Sequence, residues 1–160
     1  MKEQEYTKVL FRYHSDILDE ITVETLWAKP IDSSKGLYKL YNIPFYGPLI
    51  ATEDEFIAEY DESEQMLTYK ETVTHSGNSI VLVLLNDETQ NIDDLRSEFK
   101  ALNCQSEKFN ETYFSMEIPK SINFSDIKKR LMAYESKDII DYAEPCLSTK
   151  HEEDIVEINN

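Results

Sequence analysis

The side chains that could support nucleophilic catalysis are a small set of serines, cysteines and histidines: Ser76, Ser79, Cys104, Cys146, His14, His75 and His151. Such catalysis needs a nucleophile, a base within reach of it, and a third group that orients the base. The chain has no G-x-S-x-G motif, and its 3 glycines are too few for a glycine-rich nucleotide loop. His75 falls at the end of a predicted strand, and His151 falls in a polar C-terminal segment. We therefore predict a protein that is not an enzyme and has no catalytic residues and no cofactor.

The spacing of potential ligands also gives no indication of a metal site. Asp61-Glu62-Ser63-Glu64 lacks the glycine and the spaced carboxylates of a calcium loop, and the consecutive acids at 53–55 point in diverging directions. Cys104 and Cys146 follow different predicted elements, so we expect two small buried side chains rather than a redox pair. No metal ligands are predicted.

An acidic segment between residues 53 and 64 is the strongest candidate for a binding site. It contains seven acids and no base. We expect a hairpin that docks onto a basic protein surface through these acids and through two apolar residues among them. The predicted partner-binding residues are Glu53, Asp54, Glu55, Ile57, Glu59, Tyr60, Asp61, Glu62 and Glu64. The alternative is that the segment is only a solvated turn.

The overall charge limits the partners that the surface would accept. Thirty-two acids against 16 bases give a formal net charge of −16 and a pI near 4.5. Binding to nucleic acid or to an anionic membrane depends on basic residues, so neither is predicted. A field of this sign speeds encounter with a cationic protein, although acidity can also serve solubility alone.

The sequence gives no indication of export or of membrane insertion. The first residues, MKEQEYTKVLF, contain no long apolar run and no cleavage site, so we expect no signal peptide. The longest apolar run, Ile80–Leu85, is six residues and far too short to cross a bilayer. The cytoplasm is therefore the expected compartment.

The first half of the chain is predicted to form strands without helices between them. Thr7–His14 alternates apolar and polar residues, and Thr22–Ala28 repeats the pattern with Val23, Thr25 and Trp27. Further strands are predicted at Leu37–Tyr41, Phe56–Tyr60 and Met66–His75. Five short strands of this kind are typical of a small β-barrel or a curled antiparallel sheet.

The second half has the order strand, helix, strand, strand, helix, strand, which is the ferredoxin-like unit. Strands are predicted at Ser79–Leu85, Gln105–Phe109, Thr112–Ile118 and Asp138–Ala143, and helices at Ile92–Leu102 and Phe124–Tyr134. The two most apolar strands are the first and the third, which are the central ones in that topology. The second is short and polar, as an edge strand should be.

The strand Ser79–Leu85 is apolar on both faces, although the helices of a ferredoxin-like sheet cover only one. An uncovered second face would leave an exposed apolar patch. We expect the N-terminal sheet to cover it, with a homodimer as the alternative. The predicted organisation is a small β domain at 1–77, a ferredoxin-like domain at 78–146, and an acidic, frayed tail at 147–160, in an α+β protein.

The sequence resembles a bacterial family known as domain of unknown function 4265. The resemblance begins near Val9 in VLFRYHSD, continues through VETLWA, and extends to about Pro145. Its most specific parts are the NIPF motif that opens the irregular segment Asn42–Pro48, and the junction His75–Ser79, where Asn78 stands in place of a common histidine. The resemblance implies a cytoplasmic bacterial protein and no established activity.

These observations together favour a non-enzymatic, acidic protein-binding module. An immunity-like or antitoxin-like inhibitor would occlude the basic site of a cognate partner with its acidic face. A small-ligand-sensing regulatory domain is the second hypothesis, on the analogy of other ferredoxin-like sheets. An unrecognised hydrolase is the third.

Overall fold

The computed structural model describes residues 5–15, 19–46 and 49–159. These residues form two largely antiparallel sheets and a few helices, which confirms the predicted mixed α+β class. Gly47 and Pro48, at the end of the irregular segment Asn42–Pro48, lie outside the described residues. The predicted boundary after residue 77 falls between the two sheets.

The first sheet contains five strands: β1 (Thr7–Ser15), β2 (Glu20–Asp32), β3 (Leu37–Leu40), β4 (Glu55–Asp61) and β5 (Met66–Thr74). Each strand is antiparallel to the next along the chain. Strand β5 also pairs with β1 in parallel, with Thr68 opposite Leu10, so the ladder returns to its first strand. The enclosed side chains form one apolar core, in which Phe11, Phe56 and Tyr69 contact each other through their rings.

The structure shows which face of β2 is inward. Val23, Thr25 and Trp27 lie on the outer face, and the Trp27 side chain is 42% exposed. Leu26 and Ala28 point inward instead, because the register places Leu26 opposite the buried Val9 of β1. Both faces of β2 carry apolar residues, so alternation alone cannot say which face is buried.

The second sheet consists of four strands and carries two helices. The elements are β6 (Ser79–Leu85), α1 (Ile92–Lys100), β7 (Ser106–Asn110), β8 (Tyr113–Ile118), α2 (Phe124–Ser136) and β9 (Ile140–Cys146). The strand order is β7-β8-β6-β9, so the two apolar strands are adjacent and central, as predicted. Asn91 and Asn123 cap the two helices by accepting hydrogen bonds from backbone amides of the first turn.

Both helices pack on one face of this sheet. Ile92, Leu95 and Phe99 of α1 share a core with Phe124 and Leu131 of α2 and with the odd-numbered apolar residues of β6. None of the helices in the described ranges is long and apolar enough to cross a membrane. The apolar stripes of α1 and α2 cover this face of the sheet.

The connection between β3 and β4 covers the opposite face of the second sheet. Ile43 and Ala51 pack against Ile80 and Leu82 of β6 and against Tyr113 of β8. The apolar face is thus covered within one chain, mainly by an irregular segment rather than by the strands of the first sheet.

Side chains from β2 and β8 hydrogen-bond the backbone of this covering segment. The Glu24 carboxylate accepts the amides of Phe45 and Tyr46, both at 3.0 Å. The Tyr113 hydroxyl donates to the Phe45 carbonyl, and Ser115 Oγ donates to the Pro44 carbonyl. The irregular backbone is held from both sheets because its own groups have no ladder partners.

The described part of the C-terminal segment, up to residue 159, forms two short helices, whereas a frayed tail was predicted at 147–160. Helix α3 (Thr149–Asp154) and helix α4 (Val156–Asn159) follow β9. Ile155 is 2% exposed and belongs to the core under the two longer helices. Asp154 accepts a hydrogen bond from the Phe124 amide at 2.9 Å. Contacts of this kind dock the segment onto the second sheet and its helices, although its many acids suggested a frayed tail.

We expect Ile155→Ala to lower the free energy of unfolding by about 2–5 kcal/mol, because it leaves a cavity in the core. The neighbouring Val156→Ala should change it by less than about 0.5 kcal/mol, since Val156 is half-exposed. Urea denaturation of both variants measures the difference. Equal effects of the two substitutions would show that the C-terminal segment does not contribute to the core.

Candidate functional site

The predicted acidic segment forms the hairpin of β4 and β5 with the residues that precede it. Most of the predicted acids reach the surface. Glu53, Glu59, Glu62 and Glu64 are exposed, Glu55 and Asp61 are partly exposed, and Asp54 is buried. The structure therefore brings these acids together on one hairpin, with Asp54 as the exception.

Tyr60 is the exposed aromatic residue of this hairpin. Phe56 and Ala58, at alternate positions of β4, are buried in the first sheet's core. Tyr60 continues the same alternation but is 62% exposed, and its strand partner is Leu67. Ile57 lies on the opposite face of β4 and is partly buried. The hairpin thus presents an aromatic ring between Glu59 and Asp61.

Two of the hairpin acids also have structural contacts. Asp61 Oδ1 accepts the Ser63 amide at 2.8 Å, the Ser63 hydroxyl at 2.6 Å and the Glu64 amide at 3.2 Å, and these bonds hold its pKa below the usual range. Glu64 forms an ion pair with Arg12 of β1. Glu59 and Glu62 have no such contacts among the described residues, so they are the acids most available to a partner.

Asp54 was predicted to bind a partner, and this prediction is wrong because the side chain is only 1% exposed. Its carboxylate accepts the amides of Ala51 at 2.9 Å and Ser76 at 2.8 Å, and it lies 3.2 Å from His75 Nδ1. A buried carboxylate needs such partners to offset its desolvation. Asp54 therefore joins the β3–β4 connection to the residues that follow β5.

The junction between the two sheets is built around Asp54. The Thr52 carbonyl accepts Ser76 Oγ at 2.7 Å and Asn78 Nδ2 at 3.1 Å. Asn78 Oδ1 in turn accepts the Lys120 amide, at 2.9 Å, from the loop after β8. Gly77 has a φ of +96°, and a Cβ there would lie 2.6 Å from Lys120 Cδ, so only glycine fits. The junction ties the two sheets together through polar contacts.

A groove of about 560 Å³ lies beside this junction and contains His75. Asp54 orients the imidazole, as a catalytic site would require. Cys146 also lines the groove, but burial and the charge of Asp54 raise the pKa of its thiol to about 12. His75 forms no hydrogen bond to a serine or cysteine among the described residues. The groove thus offers an oriented histidine without an activated nucleophile.

A serine–histidine pair does form elsewhere, and the sequence did not indicate it. The Ser79 hydroxyl lies 2.6 Å from His151 Nδ1, and His151 Nε2 lies 3.0 Å from the Pro119 carbonyl. Since a carbonyl can only accept, Nε2 carries the proton and Nδ1 accepts from Ser79. Ser79 Oγ also accepts the Ser148 amide at 2.8 Å. Both side chains are fully buried, so they fasten α3 to β6 rather than face a substrate.

The remaining candidates stay apart from these sites. His14 lies on β1 at 3.1 Å from Asp19. Cys104 and Cys146 are free and buried, as predicted, and burial raises the pKa of Cys104 to about 12. Within the described ranges, no three side chains of the types His, Cys, Asp and Glu form a group that could hold a metal ion.

The fold and these sites define an α+β protein in which two sheets meet at a polar junction and one sheet carries an acidic hairpin. The family described as Domain of unknown function (DUF4265) matches residues 24–142, and the chain belongs to this family. The chain is also similar to a solved structure titled "Novel crystal structure of a hypothetical protein from Neisseria gonorrhoeae". The identity is 25%, the match covers 92% of this chain and 99% of that chain, and the TM-score is 0.77. No curated protein shows a significant match.

We expect Asp54→Ala to lower the free energy of unfolding by at least about 2 kcal/mol, because it leaves two amides at the junction without an acceptor. The adjacent Glu53→Ala removes an exposed carboxylate and should change stability by less than about 0.5 kcal/mol. Urea denaturation compares the two. If Asp54→Ala were as mild as Glu53→Ala, the junction would not depend on the buried carboxylate.

Acidification should destabilise the protein through His151. Burial lowers the pKa of His151 from its ordinary value of 6.5, so below that value the unfolded chain binds a proton that the folded chain does not. This contribution is complete above about pH 6.5 and is lost as the pH falls, by at most about 1.4 kcal/mol per pH unit.

Urea denaturation across this pH range should therefore give a shallower slope for His151→Gln than for the wild type. His14→Gln is the matched control and should keep the wild-type slope, because His151 is still present. Identical slopes for the wild type and His151→Gln would contradict the assignment of a neutral buried His151.

Proposed function

We propose that this protein is a non-enzymatic, acidic protein-binding module that docks through the β4–β5 hairpin onto a basic partner. The observation that carries the proposal is the exposure of Tyr60, at 62%, beside the exposed acids Glu59 and Glu62. Aromatic side chains at the centre of an interface supply much of its binding energy, and charges around them guide association. The absence of catalysis and a cytoplasmic location are parts of the same proposal.

We further propose that the protein is an immunity-like or antitoxin-like inhibitor of its basic partner. A net charge of −16 creates a long-range field that attracts a cationic protein and accelerates encounter. The hairpin would then cover the basic surface with which the partner binds its own substrate. Occlusion of this kind requires no movement of the core, and it suits a hairpin whose turn is already fixed by Asp61.

We also propose a fold type for each of the two structural units. The order β7-β8-β6-β9, with a helix after β6 and another after β8, supports a ferredoxin-like unit. The return pairing of β5 with β1 supports a small barrel for the first sheet.

The charge part of the proposal is tested by Glu59→Ser/Glu62→Ser. This double variant should associate more slowly than the wild type with the basic protein that the wild-type chain captures, and the difference should shrink as salt screens the field. Glu88→Ser/Glu135→Ser removes two exposed acids of the second sheet's unit and is the matched control. Surface plasmon resonance at two salt concentrations measures the rates. If both double variants associate equally fast, the hairpin is only a solvated turn.

The aromatic part is tested by Tyr60→Ala. Loss of an interface anchor should raise the dissociation rate and weaken binding by about 2 kcal/mol or more. Thermal stability of the free protein should hardly change, because Tyr60 is exposed. Phe109→Ala removes another half-exposed aromatic, at the edge strand β7, and should leave binding unchanged. An unchanged dissociation rate for Tyr60→Ala would exclude this residue as an anchor.

A further inference from the structure

A second groove lies between the two sheets, beside Glu53 at the start of the acidic segment. Its volume is about 380 Å³, within the range of roughly 300–1,000 Å³ that small-molecule sites occupy. Lys29 of β2 and Lys39 of β3 line one side, and Glu117 of β8 lines the other. Clefts between packed units are common ligand sites because each side can contribute separate groups.

The two lysines of this groove are direct cross-strand partners. Like charges placed opposite each other destabilise an antiparallel pair. Within residues 5–15, 19–46 and 49–159, neither Lys29 nor Lys39 forms an ion pair, although the chain carries 32 acids. Lys39 also has Glu55 of β4 as its cross-strand partner, so the row of Lys29, Lys39 and Glu55 carries one excess positive charge. Two lysines on one wall of a groove are suited to an anion, and lysine is a common phosphate ligand in proteins.

Two tyrosines supply an aromatic wall beside these lysines. The rings of Tyr6 and Tyr41 have centroids 4.6 Å apart, and Tyr41 is 60% exposed. The two ring planes are tilted by 40°, and the exposed ring of Tyr41 can stack on a planar ligand. Base stacking on such residues is tolerant of base identity. The aromatic wall and the lysine pair therefore favour a ligand that carries both a ring and an anion.

The carboxylates of Glu53 and Glu117 also line this groove. They would repel an anion unless the ligand also presented hydrogen-bond donors, such as sugar hydroxyls, that they can accept. A net charge of −16 opposes a long polyanion but affects a small, singly phosphorylated ligand much less. A mononucleotide has a planar base, a phosphate and ribose hydroxyls, so it matches all three groups of the groove.

We infer that this groove binds a mononucleotide, with the phosphate on Lys29 and Lys39, the base on Tyr41, and the ribose hydroxyls toward Glu53 and Glu117. This inference is independent of the proposed docking of a basic protein. It adds a small-molecule site at the seam between the two sheets, where an occupant would contact strands of both.

The test is titration of the wild-type protein with AMP, adenosine and inorganic phosphate by isothermal calorimetry. Fluorescence of Trp27 is a second readout, since Trp27 is the chain's single tryptophan and its carbonyl accepts the Tyr41 amide at 3.0 Å. AMP should bind saturably, and adenosine and phosphate should each bind at least about tenfold more weakly, a ratio that corresponds to ~1.4 kcal/mol.

Lys29→Ser/Lys39→Ser should weaken AMP binding at least about tenfold, as should Tyr41→Ala. Lys70→Ser/Lys100→Ser, which removes two exposed lysines elsewhere, should bind AMP as the wild type does. The Lys29/Lys39 variant removes the like-charge pair Lys29–Lys39 and the opposite-charge pair Lys39–Glu55, so its melting temperature should stay near that of the wild type. Lost AMP binding at an unchanged melting temperature would not reflect unfolding. The inference is overturned if AMP does not bind saturably, or if the Lys29/Lys39 variant binds AMP with unchanged affinity. It is also overturned if inorganic phosphate binds as tightly as AMP, which would indicate an adventitious ion only.

Discussion

The central strand of the second sheet must be buried on both faces, and the rest of the structure is arranged around that requirement. Side chains of β6 alternate between two apolar surroundings, with Val83 facing the helices and Leu82 facing the β3–β4 connection. A strand of this composition cannot stand at an open surface without exposing a large apolar patch. Helices α1 and α2 cover one face with apolar residues that recur at helical spacing. The β3–β4 connection, from the first half of the chain, covers the other face. The two halves are thus joined by the burial of one strand.

Covering a sheet with an irregular segment creates a second demand, because its buried amides and carbonyls have no ladder partners. The chain meets it with side chains brought from distant positions: Glu24 from β2, Ser115 and Tyr113 from β8, and Asp54 within the connection itself. These bonds act across the seam between the sheets, so they fix how the sheets meet as well as the shape of the segment. The grooves on either side of the seam follow from this geometry, since a loop fills the space between two sheets less completely than strands or helices would.

Local patterns in the sequence were sufficient for the elements whose burial is decided by their own periodicity. The apolar run of β6, the stripe of α2 and the cap at Asn91 are each readable within a window of a few residues. The roles of the site residues were harder to predict from the sequence, because the acids of the hairpin cannot be told apart until their hydrogen-bond partners are known. Asp54 is separated from Ser76 and His75 by a whole hairpin, and His151 meets Ser79 across most of the second unit. Burial of a polar residue by a distant partner leaves no local signal.

The late position of Ile155 in the chain bears on the order in which the protein can fold during synthesis. All five strands of the first sheet have been made once Thr74 leaves the ribosome, so that sheet can form early. The β3–β4 connection, which covers one face of the second sheet, has no surface to pack against until β6 has been synthesised. The core under the two longer helices is complete only after Ile155 has emerged, because Ile140 of β9 and Ile155 both belong to it. Until then the growing chain exposes β6 and its neighbours, so aggregation is most favoured before Ile155 has emerged.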